Sequence, residues 1–130
     1  MTHYVVYSER YGGFGISKAA LDWLEENARQ EVKDKIKECR RAVTDEYNKR
    51  PNLHTTAKDL EEYTAMRLMY WMPRHDPELV RCVKMLGRKA NGEFADLKVR
   101  KLKGNKYRIE EYDGYEEVFE PGDEKYITIE

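Results

Sequence analysis

The sequence is short of aliphatic side chains. Leu, Ile, Val and Phe together supply 25 of its 130 residues, close to the level at which chains stay disordered. Disorder also needs a large net charge, and 24 Lys+Arg against 25 Asp+Glu leave only −1. Ten Tyr and two Trp add buriable surface that the aliphatic count misses. The expectation is one folded domain over residues 1–130, with a thin core and a very polar surface. No apolar run approaches the roughly 18 residues of a membrane-spanning helix, so no membrane partner is expected. Met1 to Tyr7 lacks a basic start followed by a long apolar stretch, so no secretory signal is expected either. The balanced charge, with a pI of about 6.3, argues against a general nucleic-acid binder.

Cysteine and histidine are also scarce. Cys39 and Cys82 lie far apart in helical patterns and read as reduced thiols of a cytosolic protein. His3, His54 and His75 are scattered, and no Cys or His pair has ligand spacing. Neither a metal nor a cofactor is expected. Internal repeats and low-complexity linkers are absent.

What is present reads as α+β: an N-terminal strand, a helical middle, and a C-terminal antiparallel β-meander packed on the helices. His3 to Ser8 is β-branched and aromatic and predicts a strand. Tyr11-Gly12-Gly13-Phe14-Gly15 interrupts it, and Ser17 is placed as a helix N-cap. From Lys18 to Arg50, apolar residues recur at three- and four-residue steps: Leu21, Leu24, Ala28, Val32, Ile36, Cys39, Val43 and Tyr47. This is one long helix or two with a bend. Its other faces are dense in charge, with 15 charged residues among the 26 from Glu25 to Arg50. Thr56 to Asp59 resembles a capping signal for a short further helix. Leu68 to Met72 is short, apolar and partly aromatic; it could continue that helix, but a strand is the preferred reading, and Pro73 ends it either way. Asp76-Pro77-Glu78 opens another helix, with Asn91-Gly92 as its left-handed stop. Leu97 to Leu102, Lys106 to Tyr112, Tyr115 to Phe119 and Lys125 to Ile129 read as strands. Asp113-Gly114 is a hairpin turn between the second and third.

The candidate site gathers two loops. Gly12, Gly13 and Phe14 lead to Ser17 at a helix start, where free backbone N–H groups can meet an anion. The spacing fits neither a Walker loop nor a dinucleotide fingerprint. The same residues also fit a tight strand-to-helix connection with Phe14 in the core. Arg74 and His75 precede a second capped helix, and Arg10 and Tyr11 offer a guanidinium fork and a stacking ring. If the loops converge, they form a phosphate pocket with an aromatic wall. Otherwise Arg74 pairs with a surface carboxylate. Tyr112 and Asp113 can stack an adenine or bond a ribose hydroxyl, or simply form a hairpin.

Charge is segregated late in the chain. Six bases and no acid lie from Leu97 to Ile109, then nine acids and one Lys from Glu110 to Glu130. Either the blocks neutralise each other across strands or the bases rim a ligand pocket. No nucleophile elbow surrounds Ser8 or Ser17, and adjacent His75 and Asp76 rarely share dyad geometry, so a non-catalytic protein is expected. The apolar stripe over many turns suits pairing with a second copy, so a homo-oligomer is expected.

The pieces Tyr11-Gly12-Gly13-Phe14 with Ser17, Pro73-Arg74-His75-Asp76-Pro77 with Leu79-Val80, Leu86-Gly87, Ala90-Asn91-Gly92, Ala95 to Val99 and Glu111 to Glu116 form a composite. The chain resembles, through them, a family of short proteins encoded by tailed phages and large DNA viruses. Residues 25–66 look longer and more charged than that family's usual linker and read as an insertion or arm. The resemblance implies a viral protein in the host cytosol. The leading expectation is sequestration of a small phosphorylated ligand, such as a host immune nucleotide signal. The alternatives are inhibition of a host protein or other macromolecule through the charged helical region, or a small hydrolase or nuclease around His75.

Overall fold

The computed structural model describes residues 2–123 and residue 129. Its elements are β1 (Tyr4–Ser8), α1 (Lys18–Asn27), α2 (Gln30–Lys49), α3 (Ala57–Trp71), α4 (Pro77–Leu86), a 3-10 turn (Gly87–Ala90), β2 (Leu97–Lys101), β3 (Arg108–Tyr112) and β4 (Tyr115–Phe119). The architecture is α+β. β1 pairs antiparallel with β2, placing Val6 opposite Val99, and β3 pairs antiparallel with β4 across the Asp113-Gly114 turn. The C-terminal strands are therefore divided between two ladders, β2 having been drawn to the N-terminal strand. The last expected strand, Lys125 to Ile129, falls almost wholly outside the described residues.

Strand alternation explains the layers. Val6 packs into the main core with Leu21, Leu24, Ile36, Leu68 and Leu79, with Tyr4 against it. Val5, on the opposite face, packs with Leu102 and Val118 beside Tyr7, Tyr107 and Ile109. The β1–β2 ladder thus lies between the helices and the β3–β4 hairpin.

The stripe from Leu21 to Val43 is buried as its spacing predicts, with Tyr47 half-buried, but the helix breaks at Ala28 and Arg29. Neither Pro nor Gly causes the break. Arg29 is claimed by the start of α4. Its guanidinium donates to both Asp76 carboxylate oxygens at 3.0 and 2.8 Å, and its backbone N–H donates to Glu78 Oε1 at 3.1 Å. From Val32 to Cys39, α2 buries this stripe in one core with α1 and α3, so that part of it is not free to meet a second copy.

Two local expectations are corrected. Leu68 to Met72 is not a strand. Thr56 and Asp59 form a capping box, and α3 runs from there without interruption to Trp71, with Met72 as its C-cap. A five-residue apolar run has no decisive period, and the helix already nucleated upstream wins. The stop after α4 is Gly87 (φ 57°), four residues before Asn91-Gly92. Asn91 instead accepts the Leu97 N–H through Oδ1 at 2.9 Å, and Gly92 lies so close to Gly15 that a Cβ would collide with its backbone.

Candidate functional site

The glycine-rich loop receives the hairpin turn. Gly12 and Gly13 have φ of 119° and 113°, in the region that favours glycine. The Gly12 N–H donates to the Asp113 carbonyl at 2.8 Å, and a Cβ on Gly114 would collide with the backbone of Gly13. Tyr11 lies tilted against Tyr115, with ring centroids 5.2 Å apart. On its other side the loop is held by the Gly92 N–H, which donates to the Gly15 carbonyl at 2.9 Å.

Arg74 arrives at the same place from the start of α4. Its two terminal nitrogens donate to the two Glu116 carboxylate oxygens at 2.7 and 2.8 Å, and its guanidinium lies 3.5 Å from the centroid of the Phe14 ring. Glu116 is only 5% exposed and also accepts the Ser8 N–H at 2.8 Å. The partner of Arg74 is therefore a buried carboxylate of the hairpin. A second fork ties the hairpin's far end: Arg100 donates to Glu120 at 2.9 Å and to Asp123 at 3.1 Å, while the Lys103 N–H donates to Glu120 at 2.7 Å. Here the basic and acidic blocks neutralise each other.

Tyr11, Gly12, Gly13, Phe14, Arg74 and Asp113 thus come together around one turn. Arg10 stands at the edge, exposed, its guanidinium 3.4 Å from the Glu93 carbonyl. Three candidates do not join them. Ser17 caps α1, accepting the Ala20 N–H at 3.1 Å and donating to the Lys89 carbonyl. His75 points to Tyr107, with Nδ1 at 2.8 Å from its hydroxyl. Tyr112 stands exposed beside the hairpin turn.

Asp76 does not serve His75. Its carboxylate takes the Arg29 fork and the Glu78 N–H at 2.8 Å. Burial works to raise this carboxyl, but those hydrogen bonds outweigh it and hold it below its ordinary value of 3.8. Burial raises the Tyr107 hydroxyl and pushes the Cys82 thiol up to about 12. Among the described residues no group of His, Cys, Asp and Glu is placed to hold a metal ion, and no helix is long and apolar enough to cross a membrane.

Beside this junction, a cleft of about 500 Å³ opens between the glycine-rich loop and α3. The loop backbone from Gly12 to Ile16 forms one wall, with Phe14 and Arg74. Glu62, Met66, Met69 and Tyr70 of α3 face it, and Glu93 and Phe94 also line it. The sequence does not single out these α3 residues, because the run from Leu68 to Met72 has no decisive period, or Phe94, because it stands in a loop. The available signal was the helical spacing of Tyr63, Met66 and Tyr70, with apolar residues left on an exposed face. Comparisons of the chain with known protein families, curated proteins and solved structures found no match.

Proposed function

We propose that the protein is a non-catalytic binding module for a small phosphorylated ligand, seated in the cleft between the glycine-rich loop and α3. The cleft carries the reading. Its volume of about 500 Å³ suits a nucleotide-sized molecule. Phe14, Phe94 and Tyr70 supply faces for a planar ring, and Met66 and Met69 adapt to its outline.

The polar groups divide by chemistry. The Glu116 fork and the Val6 carbonyl occupy three of the donors on Arg74, which leaves about two of a guanidinium's five for a phosphate oxygen. Arg10 adds a second cation at the edge. Glu62 and Glu93 are acceptors suited to ribose hydroxyls or a base amino group, and their charge favours a ligand with few phosphates. The resemblance to viral proteins gives this reading its biological form: sequestration of a host nucleotide signal in the host cytosol.

Isothermal titration of the full chain with mononucleotides, cyclic dinucleotides and ADP-ribose derivatives tests it. The expected result is saturable binding that Phe94→Ala weakens about tenfold. No heat across the panel, with protein well above micromolar concentration, overturns it.

A further inference from the structure

A second concavity, of about 420 Å³, lies between α2 and α3 and adjoins the cleft, sharing Met66 and Tyr70 with it. Its floor is Val43 and Leu60, and its walls are Tyr47 of α2 with Tyr63, Met66 and Tyr70 of α3. Tyr63 is 50% exposed, Met66 55% and Tyr70 90%, so the α3 helix presents an apolar face that the described residues leave uncovered. The loop joining the two helices carries Leu53, wholly exposed, next to the groove residue Asn52. Single exposed apolar residues are ordinary, whereas several converging on one groove mark an interaction surface.

Composition and charge narrow the occupant. The groove is lined by three Tyr, one Met and two Arg, with one Glu and no Lys or Asp. Tyr, Met and Arg are enriched, and Lys, Glu and Asp depleted, in the centres of protein interfaces. Glu46 is paired with Arg67 at 3.6 Å, and the Arg50 side chain makes no ion pair among the described residues, so the groove is net positive. Two helices lying side by side leave a channel that a third helix can fill. Tyr63, Met66 and Tyr70, at successive turns of α3, match a partner's apolar residues at i, i+4 and i+7.

We propose that the α2–α3 groove docks an acidic amphipathic helix of a partner protein. Tyr63 and Tyr47 receive its apolar face, and Arg50 receives a carboxylate at its edge. The groove shares Met66 and Tyr70 with the cleft of the ligand proposed above, but Tyr63, Tyr47 and Arg50 line only the groove, and Phe94 and the glycine-rich loop line only the cleft.

Selection from a displayed library of helical peptides against the full chain tests the proposal. The expected products carry apolar residues at i, i+4 and i+7 flanked by Asp or Glu. Their affinity, read by fluorescence anisotropy, falls about tenfold with Tyr63→Ala and again with Arg50→Glu, and is unchanged by Phe94→Ala. Both altered groove side chains are substantially exposed, so these variants keep their fold. No enrichment, enrichment of basic peptides, or peptides indifferent to Tyr63→Ala and Arg50→Glu overturns the proposal. A concentration-dependent dimer in light scattering that Tyr63→Ala abolishes would assign the groove to a second copy and overturn it as well.

Discussion

Arg74 and Glu116, 42 residues apart, meet as a two-pronged ion pair of 2.7 and 2.8 Å laid over the face of Phe14. This pair joins the start of α4, the glycine-rich loop and the β3–β4 hairpin. Among the described residues no backbone ladder links that hairpin to β1 and β2. Its attachment depends on this fork, the Arg100–Glu120 fork, the Gly12–Asp113 hydrogen bond and the small cluster around Val5 and Val118.

Breaking the fork from one side should be costly, because it leaves a buried charge without a partner. Arg74→Met is expected to lower the unfolding free energy by about 3 kcal/mol, at the low end for a buried pair because Arg74 keeps some contact with solvent. Replacing both partners, Arg74→Met with Glu116→Leu, should restore much of that loss. Urea unfolding of the two single variants and the double variant measures the coupling.

The glycine contacts make a paired prediction. Gly114→Ala places a Cβ against Gly13 and forces alanine to φ 89°, so it should destabilise by more than about 1 kcal/mol. Gly104 has open space around it and no positive φ, so Gly104→Ala should stay within about 0.5 kcal/mol of the parent. Thermal melts compared side by side check both.

Asp76 sets a pH dependence. Its carboxyl is held below 3.8 in the folded state, so its contribution is complete above that value and is lost as pH falls through the lowered one. Asp76→Asn keeps a capping side chain but loses the charge that Arg29 meets. The variant should be less stable at neutral pH by about 1.5 kcal/mol, and the gap should close well below pH 3.8. Urea midpoints across an acid series give the answer.

The two thiols should be inert in the folded protein. Burial pushes Cys82 up to about 12 and also raises Cys39, so little thiolate exists near neutral pH. Labelling with a thiol reagent should be slow in buffer and complete at both positions in denaturant. Rapid labelling of the native protein would place a thiol at the surface.

The helical assignment of Leu68 to Trp71 is also open to mutation. Leu68 is fully buried and Tyr70 almost fully exposed on the opposite face of α3. Leu68→Ala should cost about 2–5 kcal/mol, and Tyr70→Ala less than about 0.5 kcal/mol. Equal costs would not fit this helix.

Much of this protein was legible wherever the physics is local. Ser17, Thr56 and Asp76 each cap a helix because a side-chain oxygen meets an N–H two or three residues ahead. The stripe from Leu21 to Val43 is buried because its spacing matches the helical period, and Asp113-Gly114 turns a hairpin because both residues accept positive φ. The meeting of the glycine-rich loop with Arg74 could be posed from sequence only as a condition. The carboxylate waiting there, Glu116, looked like any other acid of an acidic block.

Tertiary structure decided what local pattern cannot carry. The helix breaks at Ala28 and Arg29 because Asp76 and Glu78, almost fifty residues on, claim Arg29. β2 leaves its sequence neighbours for β1 because that pairing puts Val6 and Val99 over the helical core and Val5 towards the hairpin. Gly12 and Gly13 adopt left-handed backbone where Gly114 must approach. In each case the deciding contact spans many tens of residues. Sequence periodicity and capping chemistry reach about one helical turn, so these relationships exist only once the chain has closed on itself.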